Sequence, residues 1–232
     1  MKKLLREFIF FLSLLTCAIF PSFCFASFDD YVDPRWKWYY SDDTMRYYVD
    51  TQSIEYDATR QVVKAWTLHQ HRKYPSTKYL WEISFKDKTM NVLRGIIPVQ
   101  DGQILSQDYN SKYGWPIRPD SKDEALANSV SSILHISPLY EGGPNRWKWV
   151  HSTDTYGLYV AKDTIVYLSD IPAYGIWAKK LYLDGNRDDE FYTMNFDAEF
   201  ICTSKHSSMP EKPVPDSDEE YVFKGTRELL GL

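Results

Sequence analysis

The sequence predicts an α+β fold of two tandem units, each an antiparallel β-sheet meander with one C-terminal helix packed on it. Three observations predict it. Residues 35–49 align without gaps to residues 146–160, with nine of fifteen positions identical. Between these blocks and the end of each repeat, apolar residues alternate with the period of two that marks a strand with one buried face. Each repeat then closes on a helix-start signature, Pro119-Asp120-Ser121 with Glu124 and Pro215-Asp216-Ser217 with Glu220.

The chain begins with an export signal. Lys2, Lys3 and Arg6 precede an apolar run over residues 8–20, interrupted only by Ser13 and Thr16 and broken by Pro21-Ser22. Cys24-Phe25-Ala26 then supplies a cleavage site before Ser27, so residues 1–26 are expected to be a removable signal peptide. An uncleaved anchor would need about 20 apolar residues, and Pro21 and the short run weigh against it. Thr16 ahead of Cys17 weighs against a lipoprotein signal. The expected destination is the periplasm or the outer cell surface, with no stable membrane span after cleavage.

Cleavage removes Lys2, Lys3, Arg6 and Glu7, leaving 24 basic and 31 acidic residues and a formal charge of −7. Such a balance argues against nucleic-acid binding through a general positive field. Cys17 and Cys24 leave with the signal, so Cys202 alone remains and no internal disulfide can support the fold. Cys202 reads as a small apolar residue within the strand Phe200-Ile201-Cys202.

The first unit is expected over residues 27–140. Trp36, Trp38 and Tyr40 alternate onto one face, and Asp42-Asp43 forms the turn to the next strand. Val62, Trp66 and Leu68 share a face; Tyr79, Trp81, Ile83 and Phe85 form a further run of period two. Asp101-Gly102, between Ile96-Ile97 and Ile104-Leu105, is a hairpin signal. Ser121 opens the helix, its hydroxyl meeting the N3 amide while the Glu124 carboxylate returns to the Ser121 amide. Leu126, Val130, Ile133 and Leu134 give that helix one apolar stripe.

The second unit is expected over residues 141–232, after a joint of turn residues, Pro138 and Glu141-Gly142-Gly143-Pro144-Asn145. An offset of 111 pairs Trp66 with Trp177, Trp81 with Tyr192 and Phe85 with Phe196. The closing motif returns at an offset of 96, so about fifteen residues are missing from the region matching residues 91–115. Asp184-Gly185 repeats the hairpin device. Ser217 and Glu220 cap a helix bearing Val222, Leu229 and Leu230, in which Gly225 costs about 1 kcal/mol relative to Ala.

This order of motifs resembles the surface-adhesin protein E family of bacterial envelope proteins. The family's opening Trp before a turn and its Tyr-Tyr-Val-Asp segment match Trp38 and Tyr47-Tyr48-Val49-Asp50. Its Val-Trp strand matches Val62 to Trp66, and its Pro-x-Ser helix start matches Pro119-Asp120-Ser121. The second unit answers with Tyr159-Val160, Trp177 and Pro215-Asp216-Ser217. The resemblance covers almost the whole mature chain and implies a small exported sheet with a helix, in the best known members exposed to bind host extracellular matrix. Two positions depart from it: Ala161 stands where the first unit has Asp50, and the cysteine pair of many members survives only as Cys202.

Candidate chemistry is sparse. His69 and His71 share a strand face at a spacing that can hold a metal, but no third ligand is nearby. Cys202 and His206 lack a group to orient the base of a thiol nucleophile. The acidic runs Asp29-Asp30, Asp188-Asp189-Glu190 and 216–220 lack the alternation and glycine of a calcium loop. The two Trp-Lys-Trp segments read as core aromatics flanking an exposed lysine. No catalytic, cofactor-binding or metal-binding residue is therefore expected. The sequence reads as a non-enzymatic exported envelope protein that binds a protein partner, host matrix among the candidates. The alternative is a periplasmic structural or accessory protein without adhesin activity, and the reading leaves homo-oligomerisation open.

Overall fold

The computed structural model describes residues 33–98, 103–109, 111, 114–205 and 210–232. The proposed signal peptide, Asp29-Asp30, Asp101-Gly102 and His206 lie outside the described residues. Among the described residues the fold is mostly antiparallel β-sheet, in two sheets, with two α-helices. The first sheet contains β1 (Trp36–Ser41), β2 (Met45–Asp50), β3 (Glu55–Asp57), β4 (Val62–His71), β5 (Thr77–Ser84), β6 (Thr89–Pro98), β7 (Ile104–Asp108) and β8 (Trp115–Pro116), followed by helix α1 (Lys122–Leu134). The second contains β9 (Trp147–Ser152), β10 (Tyr156–Ala161), β11 (Val166–Leu168), β12 (Ala173–Tyr182), β13 (Arg187–Asn195) and β14 (Phe200–Thr203), followed by α2 (Asp218–Leu230). Strand order is β1-β2-β4-β5-β6-β7, with β3 on β4 and β8 on β6. The second sheet runs β14-β13-β12-β10-β9, with β11 on β12. Both sheets belong to one compact unit, Arg35–Leu232.

Pairing follows the repeat residue for residue. Trp36 faces Asp50 as Trp147 faces Ala161, and Trp66 faces Leu80 as Trp177 faces Phe191. A bulge after Trp38 recurs after Trp149, and Ser53 and Thr164 each donate to the carbonyl three residues back and accept from the Trp66 or Trp177 amide. Strands β7 and β8 have no counterpart in the second sheet, where β14 is short; the shorter second repeat loses them.

One residue of bulge changes which side chains are buried. An extra residue in one strand reverses the alternation beyond it. Tyr39 and Val150 turn onto the cores, while Trp38 and Trp149 are left 57% and 58% exposed. The Trp-Lys-Trp segments are thus not core aromatics. On β4 the buried face is Val63, Ala65, Thr67 and His69; Val62, Trp66 and Leu68 lie on the other face, half-buried. Both faces of β4 carry apolar residues, so alternation alone cannot choose between them. On β5 and beyond it the expected face is the one used, since Trp81, Ile83 and Phe85 join Val49, Val63, Met90, Leu126 and Val130 in the first core. The second core gathers Leu158, Val160, Ile176, Tyr192, Met194, Val222 and Phe223.

The turns show similar detail. Asp42 accepts the amides of Thr44 and Met45, and these bonds hold its carboxyl down to about 2. Asp184-Gly185, with Gly185 at a φ of +86, connects β12 to β13 and so corresponds to the β4–β5 link, not to the turn expected between β6 and β7. Each helix is capped by its serine, but the N3 carboxylate reaches one residue further back than expected. Glu124 accepts the Asp120 amide at 2.6 Å and Glu220 the Asp216 amide at 2.9 Å, because Asp120 and Asp216 are left-handed, with φ of 58 and 60.

Gly225 explains its own place in α2. A Cβ there would stand 2.4 Å from Val150 Cγ1, so the helix lies against β9 only because that atom is missing. Propensity alone predicts that Gly225→Ala stabilises by about 1 kcal/mol. The contact predicts the reverse, a loss of about 1–3 kcal/mol from overpacking, and urea denaturation of the variant decides between them.

Candidate functional site

The densest polar cluster joins the two halves around Arg146, the residue that leads into β9. Its side chain is 4% exposed, and its guanidinium meets three carboxylates. Nη1 donates to Asp120 Oδ1 at 2.8 Å and Glu124 Oε2 at 2.9 Å, Nη2 donates to Glu124 Oε1 at 2.5 Å, and Nε donates to Asp163 Oδ2 at 3.0 Å. A fork on one carboxylate is the geometry that suits a buried guanidinium. Burial pulls the Arg146 pKa down, but the Glu124 hydrogen bonds and the Glu124 and Asp163 charges more than reverse this and raise it.

Local chain geometry places each partner. Glu124 is the N3 residue of α1 and Asp120 precedes its cap, so both carboxylates stand at the positive end of the helix. Asp163 lies in a short 3₁₀ turn, Lys162–Thr164, after β10, and also takes the Gly142 amide at 2.8 Å. Around this centre the halves bond repeatedly. Trp147 Nε1 donates to Asp120 Oδ2 at 3.1 Å and Arg187 Nη1 to the same oxygen at 3.0 Å. Lys88 Nζ donates to the Asp163 and Ile165 carbonyls at 2.6 and 3.1 Å. Burial lowers the Lys88 pKa, partly opposed by Asp163 and Glu141. Tyr140, from the connecting segment, is buried in the first core and donates to the Ile117 carbonyl.

The repeat shows why Arg146 points outward from its own sheet. Its counterpart Arg35 pairs with Asp50, on the strand beside it, at 2.8 Å. At the position matching Asp50 the second half has Ala161, fully buried. With no carboxylate on β10, Arg146 crosses to α1. Beside it opens a cleft of about 750 Å³, lined by Lys88, Leu139, Glu141, Lys162 and Asp163 among others.

A second cluster surrounds His69, buried on the helix side of β4. Its ring lies 4.9 Å from those of Tyr47 and Tyr79, and its Nε2 is 3.1 Å from Thr67 Oγ1, which also accepts from Trp81 Nε1. Burial, helped by the Lys122 charge, pushes the His69 pKa down to about 4. His71 shares the face, as alternation requires, but lies against Tyr74, the rings 4.6 Å apart and tilted by 49°, and accepts the Lys73 amide. The two imidazoles are not drawn together, and no group of three or more His, Cys, Asp or Glu placed for a metal occurs among the described residues. Cys202 is half-buried in β14, and burial raises its thiol pKa. Asp188 pairs with Lys205, Asp189 with Arg187 and Asp218 with Lys180, so these acidic residues have basic neighbours.

Among the described residues no helix is long and apolar enough to cross a membrane. No family model, curated protein or solved structure matches this chain.

Removing the guanidinium leaves Glu124 and Asp163 buried without their cation. Arg146→Met is therefore expected to cost about 3–5 kcal/mol in chemical denaturation, with Glu124→Gln in the same chain recovering part of the loss. His69 gives a pH dependence of known sign. Its folded value lies below the ordinary 6.5, so on acidification the unfolded chain takes up the proton first. The contribution is complete above about pH 6.5 and falls away towards pH 4, by at most about 3 kcal/mol. The midpoint of unfolding, followed between those values, is expected to drop more steeply than in His69→Phe.

Proposed function

We propose that the chain is a duplicated sheet-and-helix unit of the surface-adhesin E type, exported by residues 1–26, that binds a protein partner at the cell envelope without catalysing a reaction. The observation that carries this reading is the matched pair of exposed tryptophans. Trp38 and Trp149 lie on β1 and β9, each the edge strand of its sheet among the described residues, at equivalent positions beside the same bulge. An open edge presents unpaired backbone groups to an extended segment, and a tryptophan beside it supplies a large apolar contact. Large aromatic surface retained in water at both copies of one position supports a contact outside the chain. Exposure of the protein on the outer surface, with host matrix as the partner, is the form of this proposal that the family resemblance favours.

The test is a pull-down from envelope and matrix fractions with the wild-type protein and with Trp38→Ala, Trp149→Ala and the double variant. Each single change is expected to weaken capture about tenfold or more, and the double change to abolish it while the melting curve stays as in the wild type. Protease treatment of intact cells supplies the second readout. Protection from cleavage would remove the host-matrix form, and undiminished capture by the double variant would overturn the edge as the binding surface.

A further inference from the structure

The cleft beside Arg146, about 750 Å³ in volume, falls within the size range of small-molecule sites. Its lining carries charges of both signs. Lys88 and Lys162 supply cations, Glu141 and Asp163 supply carboxylates, and Pro138 and Leu139 add apolar surface. Part of this charge is committed within the fold. Asp163 Oδ2 accepts from Gly142 N–H and Arg146 Nε–H, while its Oδ1 is buried without a hydrogen bond among the described residues. An ammonium has three hydrogens to donate. Lys88, in the turn between β5 and β6, places two of them on the Asp163 and Ile165 carbonyls and lies 5.3 Å from the centre of the Tyr140 ring. These contacts fix the amine at the cleft and leave its third hydrogen for another acceptor. Lys162 and Glu141 are exposed, so their charges are open to a ligand.

The repeat shows that these charges belong to the cleft and not to the duplicated module. Thr51 and Gln52 stand in the first half where the second has Lys162 and Asp163. Glu199 stands in the second half where the first has Lys88. Lys88 and Glu199 share the same left-handed turn position, with φ of 56 and 51, so the backbone is kept while the charge is reversed.

We propose that this cleft binds a small zwitterion, a molecule such as a short peptide that carries a free ammonium at one end and a free carboxylate at the other. The carboxylate meets Lys162 and the remaining Lys88 hydrogen. The ammonium meets the Glu141 carboxylate, with the Asp163 charge in the same lining. A simple anion would face Glu141 and Asp163, and a simple cation would face Lys88 and Lys162; only a ligand with both charges is matched by both sets. The site is independent of Trp38 and Trp149, neither of which lines it.

Calorimetric titration of protein expressed from the full-length sequence with alanyl-alanine, its N-acetyl form and its C-terminal amide tests the proposal. The free dipeptide is expected to bind with a Kd of about 0.1–1 mM, and blocking either end to weaken it about tenfold. Glu141→Gln is expected to remove the preference over the acetylated form, and Lys162→Ala to reduce the preference over the amide. Lys88→Met would also strand two carbonyls, so Lys162→Ala is the variant to read for the carboxylate end, with melting curves confirming that both variants fold. The Trp38→Ala, Trp149→Ala double variant is expected to bind the dipeptide as the wild type does, which separates failure of the edge reading from failure of this one. Absence of binding at about 10 mM dipeptide overturns the proposal. So does a blocked form that binds as tightly as the free dipeptide, or a folded Glu141→Gln or Lys162→Ala variant that titrates like the wild type.

Discussion

A single buried guanidinium sets the relation between the two halves. Arg146 loses its hydration on burial, and the cost is several kcal/mol unless carboxylates and hydrogen bonds replace the water. Three carboxylates supply the replacement, two from the start of α1 and one from the 3₁₀ turn after β10. The start of α1, the start of β9 and the 3₁₀ turn after β10 are therefore fixed together. An apolar contact could slide; a forked ion pair with a carboxylate at 2.5 and 2.9 Å cannot without leaving a charge unpaired. The device arises from one difference between the repeats, Asp50 against Ala161, which turns a pair within a sheet into a pair between halves.

The cores diverge with the same economy. The strand position that is Tyr39 in the first half is Val150 in the second, and the helix position that is Ala127 in the first is Phe223 in the second. Bulk has moved from the strand to the helix facing it. Such paired changes keep the total volume near constant, which is the kind of substitution a packed core accepts. Gly225, where the first half has Ser129, lets α2 approach Val150, so the smaller strand residue and the missing Cβ act together. Both sheets keep the same register while filling their interiors with different residues.

That separation between register and filling explains how much the sequence revealed. Strand positions, the Asp42-Asp43 turn and the helix starts were legible because the repeat carries them twice and because serine caps and Asp-rich turns act over three or four residues. The buried face of β1 was not legible, since one bulge residue reverses it and no local signal at Tyr39 announces a bulge. The face of β4 was ambiguous because Val62, Trp66 and Leu68 are more apolar than the Ala65, Thr67 and His69 that are buried. Arg146 was missed for a different reason. Its partners lie 17 to 26 positions away in sequence, beyond any local pattern. The signal existed all the same, in an arginine repeated at 35 and 146 whose aspartate partner was repeated only as alanine.

The junction also bears on the open edges. An edge strand carrying a large aromatic residue risks unspecific pairing, and proteins commonly blunt it with lysine. Here Lys37 is exposed beside Trp38 and gives the β1 edge a charge that opposes self-stacking, whereas Lys148, beside Trp149, is half-buried and paired with Glu228 at 2.9 Å. Because the Arg146 cluster fixes the two halves, the two edges stand at a set separation on one compact unit. For a partner with repeated binding segments, that spacing matters more than the strength of either edge, since the second contact forms at the effective concentration set by the first. On the proposed reading, the duplication and the difference between Asp50 and Ala161 supply two things together, a second copy of the edge and the fixed spacing between the two.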